Sequence, residues 1–519
     1  MNLSLIFNHL IINILFYFAF FYYINNKNNF LFLTNKLFQS FLFINILAFL
    51  IMASLKIYSF AYHADFAIWT EIINNFKFSK FYSSSIEDSF YGNKNYLGSH
   101  FVPLVAIFYF FNLILDFDTF DIVFANWFLL ISSSYILYLI CKELKLSNNN
   151  SILISLGFTL YVPFQYLLIN PFEMLRFSIP LIFLLIFFYI KKKELLFLIC
   201  FALTILIREE VSLYLFFFSI YIILDKNCNF KLKYIYPLVC LISFYLIYFK
   251  LMNSFSDGIK IYTGSMKMSM NSLNEILNSI VNNFINQIQN GNLFYKFVNI
   301  YYFFLPVLFL PLLRIKYLIV ILPPFFVGLM SNAISHLTIF TYYQSYAYPF
   351  IYYFCIKEII RTGNLGNNLY KIKILIFSLL TTSILYGPAS YSFQFLFDFK
   401  IYDFRTFDYS YNNYLPNIEK YNYIEYVVKK QIPEQSLVST EQHIMPILAN
   451  NNRKIKTFPD FKDAKYILID RDHEKKTGIG TVDKSWNGFR ENPEYYYSQF
   501  YNEYLLLEKK DGIELYIKK

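Results

Sequence analysis

The chain predicts a mainly α-helical, polytopic membrane protein with a small soluble α+β domain at its C-terminal end. Three observations carry this. Of its 519 residues 57% are hydrophobic and only 15% are charged, and the mean hydropathy is +0.40, where a soluble domain carries about 25% charge. Apolar runs of spanning length recur along the chain. From about Ala389 the composition turns polar and aromatic and patterns like a soluble domain.

A crossing needs about 20 apolar residues. Candidate spans lie near 4–24, 38–55, 121–140, 151–168, 174–190, 194–207, 211–224, 234–251, 296–313, 317–331, 342–358 and 371–388, about twelve in all. The first run lacks a basic leader and an A-x-A-like site, so it reads as a retained span and not a cleaved signal. Lys and Arg concentrate in short cytoplasmic loops. Under one orientation those loops hold sixteen basic residues, against Arg176 and Arg208 alone in the short opposite loops. That orientation places 56–120, 252–295 and everything after about 389 outside the cytoplasmic (inner) membrane. It requires 101–115 to be an interfacial or re-entrant helix ending at Asp116-Phe117-Asp118. The chain then divides into four parts: transmembrane segments in 1–55, an outer loop over 56–120, a transmembrane bundle over 121–388 and an extracytoplasmic α+β domain over 389–519.

Composition removes several classes. The net charge of +10 is scattered through short loops, which reads as membrane orientation and not as a nucleic-acid surface. The five cysteines show no C-x-x-C spacing, so neither a disulfide framework nor a zinc site is expected. The 63 Phe and 48 Tyr give no single aromatic a functional meaning.

The outer loop 56–103 gathers acids and two of the six histidines. It carries Tyr62-His63-Ala64-Asp65, Trp69, Glu71 and Glu87-Asp88, and closes on Gly98-Ser99-His100-Phe101-Val102-Pro103. Asp65 reads either as a general base or metal ligand, or as the N-cap of a helix beginning at Phe66. His63 and Asp65 together form a weak H-x-D metal pair. His100 reads as a phosphate or carboxylate contact, or as a loop anchor. Glu87-Asp88 reads as a solvated turn, and Glu173 as a site acid or as an ion-pair partner of Arg176.

The apolar run Leu195 to Leu224 is interrupted by Arg208-Glu209-Glu210, which predicts two short helices with three ionisable groups at their turn. Charges at that depth are functional candidates by default; the competing reading is an Arg208–Glu staple of the hairpin. In 252–295, Ile276, Ile280, Phe284 and Ile288 recur every four residues, an amphipathic helix on the outer leaflet or against the C-terminal domain. That domain patterns as strands at 436–439, 454–458 and 464–470, helices at 441–450 and 494–504, and a hairpin turning at Asp511-Gly512. Ser439, His443 and Asp470 are hydrolase residue types, but no G-x-S-x-G context accompanies them.

This order of elements resembles the GT-C superfamily of integral-membrane glycosyltransferases, and more closely a family of prokaryotic membrane proteins of unknown function placed near it. The family's D-x-G-x-x-x-Q falls on Asp65 to Glu71, with Ala67 and Glu71 departing. G-x-H-F-x-P falls on Gly98 to Pro103 intact. F-H-P falls on Phe172-Glu173-Met174, which lacks the His, and K-E-D falls on Arg208-Glu209-Glu210. Tyr342-Tyr343-Gln344 is also similar. The resemblance implies transfer of a sugar from a polyprenyl-phosphate donor to an extracytoplasmic acceptor. It makes Asp65 the catalytic carboxylate and His100, Glu173, Arg208, Glu209, Glu71 and Tyr343 substrate contacts, with a divalent cation as one way to hold the phosphate. A non-enzymatic membrane protein or a transporter of lipid-linked glycans is the alternative.

Overall fold

The computed structural model describes residues 36–60, 62, 64–115, 117–170, 172–256, 273–331, 334–339, 341–362, 365–388, 417–471 and 498–519. The first predicted span and His63 lie outside them. The described residues are mainly helical, with one small C-terminal sheet.

Helix α1 (Lys36–Tyr58) leads into α2 (Ala64–Asn75), α3 (Ser85–Tyr91) and α4 (Ala106–Leu115). α4 buries Phe108 and Asn112, while Phe110, Leu113 and Ile114 stay exposed. Then come α5 (Thr119–Glu143), α6 (Asn148–Gly157), α7 (Val162–Ile169), α8 (Ser178–Ile190), α9 (Glu194–Ile205) and α10 (Val211–Leu224). α11 covers Tyr236–Phe255. α12 (Leu273–Gln289), α13 (Asn292–Phe304), α14 (Ile315–Met330), α15 (Tyr348–Arg361) and α16 (Leu365–Tyr386) complete the bundle.

Among the described residues α5 and α11 are each long and apolar enough to cross a bilayer. The stretch Asn148–Leu160 and α7, bent by 63°, make a third candidate, and six further apolar helices run 10–17 residues. Of the about twelve expected spans, two or three are helices of crossing length among the described residues, and the first lies outside them. The others are shortened by breaks that an apolar run conceals, as at Arg208-Glu209-Glu210, or bear internal prolines, as at Pro323-Pro324 in α14, where each ring removes a ladder donor.

The helix expected in 252–295 exists as α12. Asn283 and Gln287 are buried, Gln287 donating to Leu329 O at 2.8 Å, while Val281, Ile285 and Ile288 are exposed. Asn282, Asn286 and Gln289 are exposed beside those apolar residues, so the outer side of this helix is mixed.

In the C-terminal part, α17 (Ile418–Gln431) precedes β1 (Leu437–Thr440), α18 (Met445–Asn450), β2 (Lys454–Thr457), β3 (Tyr466–Asp470), β4 (Tyr504–Lys510) and β5 (Ile513–Lys518). The sheet order is β2-β1-β3-β5-β4, with β1 parallel to β2 and β3, and β5 antiparallel to β3 and β4. The fully apolar run Tyr-Ile-Leu-Ile makes β3 the central strand, buried on both faces. The edge strand β2 is covered by α3: Ile455 N donates to Ser85 Oγ at 2.7 Å and Thr457 N to Ser89 Oγ at 3.1 Å. Two serines one helical turn apart thus satisfy alternate edge amides, which would otherwise recruit another strand. α18 packs along α2. The sheet is in this way docked on the loop that carries Asp65.

Beneath the sheet, Lys420 Nζ pairs with Asp470 at 2.6 Å, and His443 Nε2 lies 3.4 Å from Asp470 and 3.5 Å from Glu441. Ser439 Oγ is buried and has no hydrogen bond among the described residues. The Nε2 that a hydrolase would turn on its serine faces two acids, so no triad forms. Burial holds His443 below its ordinary value, leaving it neutral near pH 7. Burial alone would raise the Asp470 carboxyl, but His443 and Lys420 outweigh it and hold the group well below the usual range. With the histidine neutral, Lys420 is the charge that counts.

A depressed carboxyl stabilises the fold above its unfolded value, about 3.9, and loses that contribution as pH falls through the lower folded value. Thermal stability of the wild type is therefore expected to fall below about pH 4. Asp470→Asn is expected to be weaker already at neutral pH and to lack that acid step; equal acid steps in both would remove the role given to the pair.

Candidate functional site

Asp65 stands in the first turn of α2, one residue inside Ala64, so it is not the N-cap of a helix starting at Phe66. A carboxylate there is favoured by the helix dipole. Its neighbours Ala64, Phe66, Ala67, Ile68 and Trp69 are buried while Asp65 itself is exposed. It makes no direct hydrogen bond or ion pair among the described residues. Its side chain reaches water although protein atoms crowd around it. Burial, then the Glu173 charge, raise its carboxyl above the ordinary range, against the opposing pull of His100, Arg208 and Arg176.

Those four partners come from three separate segments. Glu173, buried between α7 and α8, accepts from Trp69 Nε1 at 3.2 Å and from Arg208 Nη1 at 3.3 Å. Arg208, in the turn between α9 and α10, is 3% exposed and also lies 3.1 Å from Glu210 and 3.7 Å from Glu209 through Nε. Glu209 takes the His100 Nδ1 proton at 3.0 Å with one oxygen and the Phe101 amide at 2.9 Å with the other. A carboxylate can only accept, so Nδ1 carries a hydrogen, and Nε2 lies 3.5 Å from Arg208 Nη2. The hairpin staple weighed from the sequence exists, and the same arginine reaches across to Glu173.

The intact G-x-H-F-x-P stretch explains itself locally. A Cβ on Gly98 would fall 2.8 Å from Ser256 Cα and 2.9 Å from Phe255 O, so only glycine lets this loop lie against the end of α11. Leu104 N then donates to Leu206 O at 3.2 Å, joining the loop to the split hairpin that carries Arg208.

Around this centre the structure adds residues to which the sequence assigned no role. The Tyr342 ring has the Arg176 guanidinium at 5.7 Å and that of Arg208 at 5.8 Å, two cation–π contacts on one phenol. Its hydroxyl lies 3.4 Å from that of Tyr343, which is thereby set beside the cluster. Arg176 is not the ion-pair partner of Glu173; its Nη1 caps the end of α7 through Leu167 O at 3.0 Å and Asn170 O at 2.9 Å. His336 packs on Tyr343 at 4.4 Å and meets Ser331 Oγ at 2.6 Å. Burial, Lys296 and Arg208 hold it down to about 4, so it is neutral.

Glu87 is a correction. It is buried in α3, not solvated; burial raises its carboxyl, while the Ser99 hydroxyl bonds to it and His100 lies within electrostatic reach. The signal was present in Ser84-x-x-Glu87, an N-capping spacing, and Ser84 Oγ indeed accepts from Glu87 N at 3.1 Å.

Glu71, expected as a substrate contact, is committed elsewhere. It is 5% exposed and accepts from Ser84 Oγ at 2.8 Å, Ser85 N at 3.0 Å and Ile86 N at 3.3 Å. It binds the α3 N-terminus as an anion would. Burial raises its carboxyl and these donors pull it back. Glu71→Ala is expected to lower stability by about 1–3 kcal/mol, read as a shift of the thermal transition; an unchanged transition would contradict this role.

Among the described residues no three His, Cys, Asp or Glu side chains are arranged to hold a metal ion. Of the expected His63–Asp65 metal pair, His63 lies outside the described residues.

Over residues 56–515 the sequence matches the model of a family described as predicted membrane protein, DUF2079. The chain belongs to this family. A comparison with curated proteins finds none that matches. The match takes in both the loop bearing Asp65 and the C-terminal sheet, so in this DUF2079 chain the ionic cluster and its docked sheet lie within one family unit.

Proposed function

We propose that this DUF2079 protein is a glycosyltransferase of GT-C type, transferring a sugar from a polyprenyl-phosphate donor to an acceptor at the outer face of the cytoplasmic membrane. The observation that carries the reading is a water-reached, raised carboxylate, Asp65, in electrostatic contact with a buried arginine and a carboxylate-oriented histidine drawn from distant segments.

Asp65 takes the proton of the acceptor hydroxyl as that oxygen bonds to the anomeric carbon. The bond from that carbon to the phosphate oxygen breaks, and its electron pair leaves on the lipid phosphate. Arg208 and His100 receive that charge, and Trp69 holds Glu173 against Arg208. A raised carboxyl is the stronger base near neutral pH. The proposal keeps about twelve crossings, broken ones included, and an extracytoplasmic sheet domain roofing the site. Membrane lipid and a polyprenyl-linked sugar are then its partners.

The 63° bend between Asn148–Leu160 and α7 and the buried Lys296, which donates to Gly328 O at 2.8 Å, favour a second reading as a carrier of lipid-linked glycans, since carriers use broken helices. One experiment separates them: membranes containing wild type or Asp65→Asn are given labelled sugar-lipid extracts. Sugar transfer by the wild type alone supports the enzyme; lipid movement without transfer in either supports the carrier.

A further inference from the structure

A cleft of about 670 Å³ opens between α10 and α14, outside the ionic cluster. Leu213, Tyr214 and Phe217 form one wall, and residues of α14 from Ile315 to Val327 form the other. Among the described residues no charged side chain lines it. The twelve helical steps from Ile315 to Val327 give it a length of about 18 Å, and its volume is that of a ligand site. Ile315, Leu322 and Phe326 are exposed along it, so it is open on the outside of the bundle. In a membrane the apolar wall itself is no driving force, because lipid is equally apolar. A gap between helices is instead filled by whatever restores its lost dispersion contacts.

Both walls end at the site. α10 starts directly after Arg208-Glu209-Glu210, with Leu213 N donating to Glu210 O at 3.1 Å. Tyr214 stacks on Tyr346 at 3.9 Å and lies within electrostatic reach of Glu210 and Arg208. α14 ends at Ser331, whose hydroxyl meets His336, the residue packed on Tyr343. A chain lying in this cleft has one end beside Arg208.

We propose that the cleft between α10 and α14 seats the hydrocarbon chain of a single-chain isoprenyl phosphate, entered from the side of the bundle, with its phosphate at Arg208 and His100. This rests on the proposed use of a lipid-phosphate donor and adds where the chain runs. One cleft bounded by two helices takes one chain, which favours an isoprenyl phosphate over a diacyl lipid.

The test uses the full-length purified protein and farnesyl phosphate bearing a photoreactive group near its tail. Labelling is expected on α14 between Leu318 and Val327 and on Phe217. Unlabelled farnesyl phosphate is expected to compete, farnesol and phosphatidic acid poorly. Leu318→Trp, which fills the cleft, is expected to reduce labelling at least about tenfold. The wild-type label map stands alone should that variant not fold. Label spread over the exposed faces of α9 and α11 would overturn the cleft while leaving the Asp65 transfer result untouched. Equal competition by farnesol would overturn the phosphate end and, with it, the lipid-phosphate donor. Equal competition by phosphatidic acid would overturn the choice of a single-chain lipid.

Discussion

Arg208→Met is expected to cost the fold about 3–5 kcal/mol, the range seen when one partner of a buried ion pair is removed. Arg208 is 3% exposed and faces Glu173 at 3.3 Å and Glu210 at 3.1 Å, with Glu209 at 3.7 Å. Deleting the guanidinium leaves the buried Glu173 and Glu209 with only the Trp69, His100 and Phe101 contacts, and the 23% exposed Glu210 without its partner. Arg208→Lys is expected to recover only part of the loss. One ammonium cannot reach Glu173 through one nitrogen and Glu210 through another, as the planar fork does. Pairing Arg208→Met with Glu173→Gln removes one of the stranded charges and is expected to be milder than the single change. The thermal transition of the purified protein reads all three; a single variant as stable as wild type would mean that the acids are screened by water and the cluster is open.

Asp65→Asn is expected to act in the opposite sense, lowering sugar transfer by about 10²–10⁴-fold, the usual contribution of a general base, without lowering stability. The sign comes from the environment. A carboxyl raised by burial and by Glu173 is held at a cost when ionised, and asparagine removes that cost. A folded value above the unfolded one means the wild type gains stability on acidification, so its stability deficit against Asp65→Asn should close as pH falls through the raised value. Transfer should fail on the acid side at a higher pH than an unperturbed carboxylate would give. Loss of transfer accompanied by loss of folded protein would make Asp65 a structural residue instead.

Much of the local structure was legible in the residues. The interruption of Leu195–Leu224 by three charges announced the split into α9 and α10, and the alternation around Asp511-Gly512 announced the β4–β5 hairpin. Both signals are short-range: a charge that ends an apolar run, and a turn residue with a matching period. The number of full-length crossings was less legible, because hydropathy averages over a run and does not register where a helix bends or stops. Glu71 and Glu87 were misread for a related reason. Both are acids in a polar loop, yet their settings are decided by Ser84, Ser85 and Ser99, whose positions a loop does not reveal before it folds.

The sequence by itself determined that this is a membrane-family chain, where its apolar runs lie, which residue types gather outside them and how the C-terminal strands alternate, because each of these depends on composition or on spacing of a few residues. Only the tertiary structure decided that His100, Glu173 and Arg208 lie within electrostatic reach of Asp65, that Glu209 orients the histidine while Glu71 serves a helix end, and that α3 closes the edge of the sheet. Ion pairing and burial act through space at a few ångströms, and residues a hundred positions apart acquire that distance only when the chain is packed.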